Sequence, residues 1–193
     1  MTALAQSLPR PRARAGGLAY DVALVVGGSL LVAALAQIDI HLTPYVPVTG
    51  QTFGVLLVGA ALGSVRGGLS MLLYLVWGIL GLPFFAGGAS GVPTLALPTG
   101  GYLWGFVVAG VVVGWLAERG WDRSVGSAVG AMFVGNVIIF AFGVPWLAAS
   151  VGLSAEQALE AGLYPFIIGD TLKLLLAAGA LPLAWRLAGR REG

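Results

Sequence analysis

From Tyr20 to Ile38 the sequence runs through apolar side chains interrupted by little more than Asp21, and five further runs of the same kind follow. A bilayer core of about 30 Å takes roughly 20 apolar residues per helix, with a usual range of about 17–25. On that ruler the spacing predicts spans near 20–38, 51–64, 67–82, 101–117, 125–148 and 165–188. Backbone groups in lipid have no water to bond, so these runs must be helices whose hydrogen bonds close internally. Composition agrees: 58% of the 193 residues are hydrophobic, 9% are charged, and the mean hydropathy is +0.93. Soluble domains carry about 25% charged residues. The expected fold class is therefore an all-α membrane protein with six transmembrane helices, in a single integral membrane domain over 1–193. Residues 1–17 form a basic N-terminal segment, about 18–188 the six-helix bundle, and 189–193 a tail.

The arginines set an expected orientation. Arg10, Arg12 and Arg14 precede the first run, which is long enough to span and reads as a retained helix rather than a cleaved signal peptide. Arg66 joins runs two and three, Arg119 and Arg123 join four and five, and Arg186, Arg190 and Arg191 end the chain. The alternate connections, near 39–50, 83–100 and 149–164, hold no Lys or Arg. By the positive-inside rule both termini are cytoplasmic in a prokaryotic cell membrane. Scattered at span ends, the basic residues offer no stripe for nucleic acid. The second run is short, which suggests tilt or an interrupted helix, and the Gly63–Arg66 stretch fits a tight hairpin.

The arginine-free connections are built differently. Residues 39–51 and 84–102 are dense in Gly, Pro and Thr, which break helices and let backbone approach a ligand. Ser154-Ala155-Glu156-Gln157 reads as a capping box opening a short helix to about Gly162.

Lys173, the only lysine, lies with Asp170 inside the last apolar run. A spacing of three puts both on one helical face. Each charge at membrane depth costs about 2.5–3.5 kcal/mol on insertion scales, so the pair is either a self-neutralising anchor or a solute site. As a site, the carboxylate accepts N–H bonds and the ammonium donates to oxygen. Asn136, mid-span, either bonds a neighbouring helix or offers a ligand both donor and acceptor. Thr49 and Gln51 at the mouth of run two, and Tyr102 after Gly100 and Gly101, carry the same two readings. His41, the only histidine, sits in an exposed-looking loop and receives no role. Ala19, Ala23 and Gly27 repeat at four residues and would admit another helix. No cysteine, Walker A loop or metal-protease motif occurs, so covalent catalysis and nucleotide hydrolysis are not expected, and no cofactor is called for.

The ordered motifs resemble the BioY family, the biotin-binding substrate subunits of energy-coupling factor transporters. They are Val48-Thr49-Gly50-Gln51-Thr52, Gly81-Leu82-Pro83 with Phe85-Ala86-Gly87-Gly88, and Pro98-Thr99-Gly100-Gly101-Tyr102-Leu103. Gly135-Asn136, Gly143-Val144-Pro145-Trp146-Leu147, Pro165-Phe166 and Gly169-Asp170-x-x-Lys173 complete the set. The resemblance implies biotin held by Asn136, Tyr102, Asp170 and Lys173 near the outer face, with the Gly-rich loop around Phe85 and Gly88 closing over it. It implies docking on a transmembrane coupling protein with two ATPase subunits, or a homo-oligomer where that module is absent. Phe84, Phe85, Tyr102 and Trp146 could wall the apolar ring. A self-sufficient transporter, or a subunit for another vitamin, is the competing expectation.

Overall fold

The computed structural model describes residues 3–4 and 14–189; Arg10, Arg12, Arg190 and Arg191, and the outer parts of both terminal segments, lie outside the described residues. Seven α-helices are described: α1 (Arg14–Ala36), α2 (Gln51–Leu62), α3 (Ser64–Ile79), α4 (Gly100–Glu118), α5 (Val125–Val151), α6 (Ala155–Gly162) and α7 (Ile167–Gly189). Six of them answer to the six apolar runs, and α6 is the short capped helix. Four helical stretches, Gly17–Ala36, Gly100–Glu118, Val125–Val151 and Ala155–Arg186, are long and apolar enough to cross a membrane, while Gln51–Leu62 and Ser64–Ile79 are shorter apolar helices. The predicted end of α6 is met, since Ser154 Oγ accepts from Gln157 N and Gln157 Oε1 accepts from Ser154 N.

One element was not predicted: β1 (Asp39–Ile40) and β2 (Val48–Thr49) form a small antiparallel ribbon, with Asp39 opposite Thr49. Two 3-10 turns, Ala86–Gly88 and Val92–Ala96, give the segment between α3 and α4 its shape, and a third, Tyr164–Phe166, leads into α7.

At the bundle's centre, α4 packs against α2, α3 and α5. Small residues make this possible, because lipid tails give apolar side chains little reason to leave them and close backbone packing must supply the attraction. A Cβ on Gly59 of α2 would stand 2.9 Å from the Gly110 carbonyl of α4, and one on Gly67 of α3 would stand 2.9 Å from Gly59 Cα. Three helices thus meet backbone to backbone at one crossing. Around it pack fully buried Leu56, Met71, Tyr74, Val113, Met132 and Ile139.

The α2–α3 joint is tighter than expected. Only Gly63 separates the helices, at φ 86°, a left-handed value that favours glycine. Arg66 is therefore a first-turn helix residue instead of a loop residue. It is buried and ion-paired to Asp21 of α1 at 2.6 Å, so its charge is answered within the protein. Glu118 at the end of α4 accepts from Ser64 N at 2.8 Å, and Asp122 accepts from Trp185 Nε1 at 2.6 Å. These contacts gather the chain's arginine-bearing connections at one end of the bundle. The ribbon, the 3-10 turns and α6 gather at the other, loop-rich end.

Candidate functional site

At the loop-rich end, the N-terminus of α2 comes up beneath the ribbon and meets α7. The meeting is polar. Lys173 Nζ donates to Asp170 Oδ1 at 2.7 Å, to the Thr49 carbonyl at 2.7 Å and to Thr52 Oγ1 at 3.3 Å. Thr52 Oγ1 in turn donates to Asp170 Oδ1 at 3.1 Å. An ammonium has three donors, and all three are engaged. The side chains of Asp170 and Lys173 are 4% and 19% exposed, so the pair is held away from bulk solvent. Asp170 Oδ2, also buried, has no hydrogen-bond partner.

Next to this cluster a second network fixes α2 against α3. Thr49 Oγ1 donates to Gln51 Oε1 at 2.8 Å, and Gln51 Nε2 donates to the Tyr74 hydroxyl at 2.6 Å. Tyr74 meets Phe85 edge-on with ring centroids 5.6 Å apart. Phe85 is thereby locked under the 3-10 segment, and Gly78 opposite it has no room for a Cβ beside that ring. Gln37 Nε2 donates to the Phe84 and Phe85 carbonyls at 3.4 Å, tying the same segment to the end of α1.

These elements enclose a cavity of about 480 Å³. Its floor carries Thr49, Gln51, Thr52, Asp170 and Lys173, and its walls carry Phe85, Tyr102, Leu103, Phe106, Phe140 and Phe166. Asp39, His41, Tyr45, Gly87 and Thr99 line it from the connecting segments. Apolar walls with a few convergent polar groups at one end are what a small-molecule site needs: burial supplies affinity and the polar groups fix orientation.

Six of the residues singled out from sequence line this cavity: Thr49, Gln51, Phe85, Tyr102, Asp170 and Lys173. Four stand elsewhere. Gly100 and Gly101 are close-packing positions, since a Cβ on either would run into Leu95, Trp146 or Phe142. Gly88 sits at φ 73° with open space around it, while its neighbour Gly87 faces the cavity. Asn136 lines a lateral groove of about 500 Å³ between α5 and α7, with Phe140 and Asp170 shared between groove and cavity. Its Oδ1 is buried without a partner. The Tyr102 hydroxyl is already committed, donating to the Gly162 carbonyl at 2.8 Å, so this side chain presents its ring to the cavity. Trp146 Nε1 donates to the Leu97 carbonyl at 3.0 Å, bracing the loop instead of walling the cavity.

Sequence reasoning passed over Asp39, His41 and Thr52. A hydroxyl within one turn of Gln51 signalled Thr52, and the ribbon that carries Asp39 inward left no periodic trace.

Residues 6–190 match the model of the BioY family. The chain is 37% identical over 140 residues to the biotin transporter BioY of Rhizobium etli, covering 69% of this chain and 74% of that one. It is 39% identical over 148 residues to the biotin transporter BioY of Thermotoga maritima, covering 77% and 85%. Its fold is similar to the crystal structure of the S-component for biotin from an ECF-type ABC transporter, with a TM-score of 0.80 at 21% identity, covering 91% of this chain and 95% of that one.

Proposed function

The chain belongs to the BioY family, and from that premise we propose that it is the biotin-binding subunit of a membrane uptake system. The observation that carries the reading is Asp170: a buried carboxylate on the polar floor of a cavity with apolar walls, with one oxygen satisfied by Lys173 and Thr52 and the other left without a donor. Unmade buried acceptors are costly, and a ligand that brings N–H groups relieves the cost. The ureido head of biotin brings two N–H donors and a carbonyl. One N–H meets Asp170 Oδ2, Asn136 Oδ1 is the neighbouring acceptor across the shared wall, and Lys173 re-aims one donor from Thr52 to the carbonyl. The thiophane ring lies against Phe106, Phe140, Phe166 and the ring of Tyr102. Gln51 and Thr49 hold the floor, and Phe85 and Gly88 belong to the segment that closes over it.

The topology that goes with this reading has six spans, both termini cytoplasmic and the cavity facing outward. Six bundle helices, α1–α5 and α7, put the start of α1 and the end of α7 with the Gly63 and 119–124 connections, the side that carries Arg66, Arg119 and Arg123. The cell membrane is then the location, and a transmembrane coupling protein with two ATPases supplies the energy, or a homo-oligomer forms where that module is missing. The chain performs no covalent chemistry in this account and needs no cofactor.

Titration of biotin and of other vitamins into the purified full-length protein tests the assignment. Saturable binding of biotin in preference to the others is expected. Binding of a different vitamin, or none, would overturn it. Uptake by the protein alone in liposomes that collapses with an uncoupler would instead favour a self-sufficient, proton-coupled carrier.

A further inference from the structure

The floor of the cavity is charge-balanced and its mouth is not. Among the described lining residues the ionisable groups are Asp170 and Lys173 below, Tyr102 on the wall, and Asp39, His41 and Tyr45 above. All three donors of Lys173 are engaged, one of them on Asp170. With a neutral imidazole the lining therefore holds two carboxylates against one ammonium. A ligand with its own carboxylate adds a third negative charge. The segments framing the mouth, 37–50 and 83–100, supply no Lys or Arg to meet it.

Building on the reading above, in which the ureido head rests on Asp170, the carboxylate tail of biotin points to that mouth. We propose that His41, as imidazolium, receives the tail carboxylate, and that Asp39 is the positioning residue that holds the ring there. Asp39 Oδ1 lies 3.1 Å from His41 Nδ1, and the two side chains are 11% and 67% exposed. The carboxylate is the fixed member. Its residue is paired in the ribbon with Thr49, and its Oδ2 lies so near Gly87 that a Cβ there would stand 2.9 Å away. Nδ1 stands 3.1 Å from Asp39 Oδ1 as an ion-pair contact without hydrogen-bond geometry, so Asp39 Oδ1 is still without a hydrogen-bond partner and Nε2 is the nitrogen left for a ligand. A charged ring on Asp39 brings the cavity to zero net charge before the ligand arrives. The other groups that face it are Tyr45 on its own connection and Asp170 and Lys173 across the cavity; the segment 83–100 contributes no charged group. The outward vitamin tail would thus be read by a histidine.

The test compares biotin with biotin amide, whose tail is uncharged, by calorimetric titration of the purified full-length protein at about pH 6 and pH 8. Biotin is expected to bind roughly three- to fivefold more tightly at the lower pH, the range an exposed charge pair supports, and the amide to show no such slope. His41→Gln should remove the slope for biotin, and His41→Lys should keep biotin tight at both pH values. An equal slope for both ligands, no slope for biotin, or an unchanged slope in His41→Gln would overturn the assignment to His41 while leaving the biotin site standing. Failure of the wild-type protein to bind either ligand would overturn the biotin reading and this inference with it.

Discussion

Replacing Lys173 by Ala perturbs the site at its most connected atom. The substitution removes two hydrogen bonds of 2.7 Å, to Asp170 Oδ1 and the Thr49 carbonyl, and a longer one to Thr52. Asp170 then keeps only Thr52 on one oxygen and nothing on the other. Removing one partner of a buried ion pair costs about 3–5 kcal/mol, much of it the penalty of the stranded charge. Lys173 is 19% exposed, so water reaches its place in part and the low end, about 3 kcal/mol, is the appropriate magnitude. A single charged hydrogen bond to the ligand is worth about 1.5–3 kcal/mol, which corresponds to a loss of roughly tenfold to a hundredfold in biotin affinity. The assay is biotin titration of folded protein beside thermal unfolding in detergent, with the double variant Asp170→Asn/Lys173→Met as control. The double variant should regain stability, because no charge is stranded, and should not regain binding. A folded Lys173→Ala protein that binds biotin within about twofold of wild type, or a double variant with full affinity, would show that the pair merely anchors α7 to α2.

Gln51→Leu should lower stability by about 1–3 kcal/mol in thermal unfolding, because the buried Tyr74 hydroxyl loses its 2.6 Å donor; adding Tyr74→Phe should recover most of it. Gly67→Val should lower the yield of folded protein, since even a Cβ stands 2.9 Å from Gly59 Cα and two further methyls have no space at the α2–α3–α4 crossing; size-exclusion of detergent extracts reads this out. Asp122, in the α4–α5 connection, has its carboxyl raised above the ordinary range by burial, against the lowering effects of Trp185 and Arg123. A raised carboxyl contributes stability that is present in acid and lost as pH climbs through its folded value. Asp122→Asn should therefore flatten the stability–pH profile on the acid-to-neutral side and raise unfolding temperature at neutral pH relative to wild type, while still accepting from Trp185.

The helices were legible because membrane insertion demands long apolar runs, and those runs survive in a single sequence. The i,i+3 spacing of Asp170 and Lys173 likewise put the pair on one face, and in the structure they meet. Arg66 was misread because Gly63 alone turns the chain, which moves the arginine from a loop into a helix where Asp21 answers it. Gly100 and Gly101 were read as making room for a ligand, yet the neighbours that need the room are the Leu95 carbonyl beside Gly100 and Trp146 of α5 beside Gly101. The hydroxyl of Tyr102 was free in sequence and is taken by a carbonyl 60 residues away. Asp39 and His41 reach the cavity only because residues 39–49 fold into a ribbon whose register depends on contacts that no local pattern encodes.

The brevity of α2 has a consequence for the distance any captured solute must travel. Twelve residues at a rise of about 1.5 Å make a rod of only about 18 Å between Gln51 and the Gly63 joint, against a hydrocarbon layer of about 30 Å. With the Gly63 joint set at the inner edge of that layer, a molecule resting on Thr49 and Thr52 starts about 12 Å in from the outer edge. What is left for the rest of the transport cycle is then the longer leg, about 18 Å.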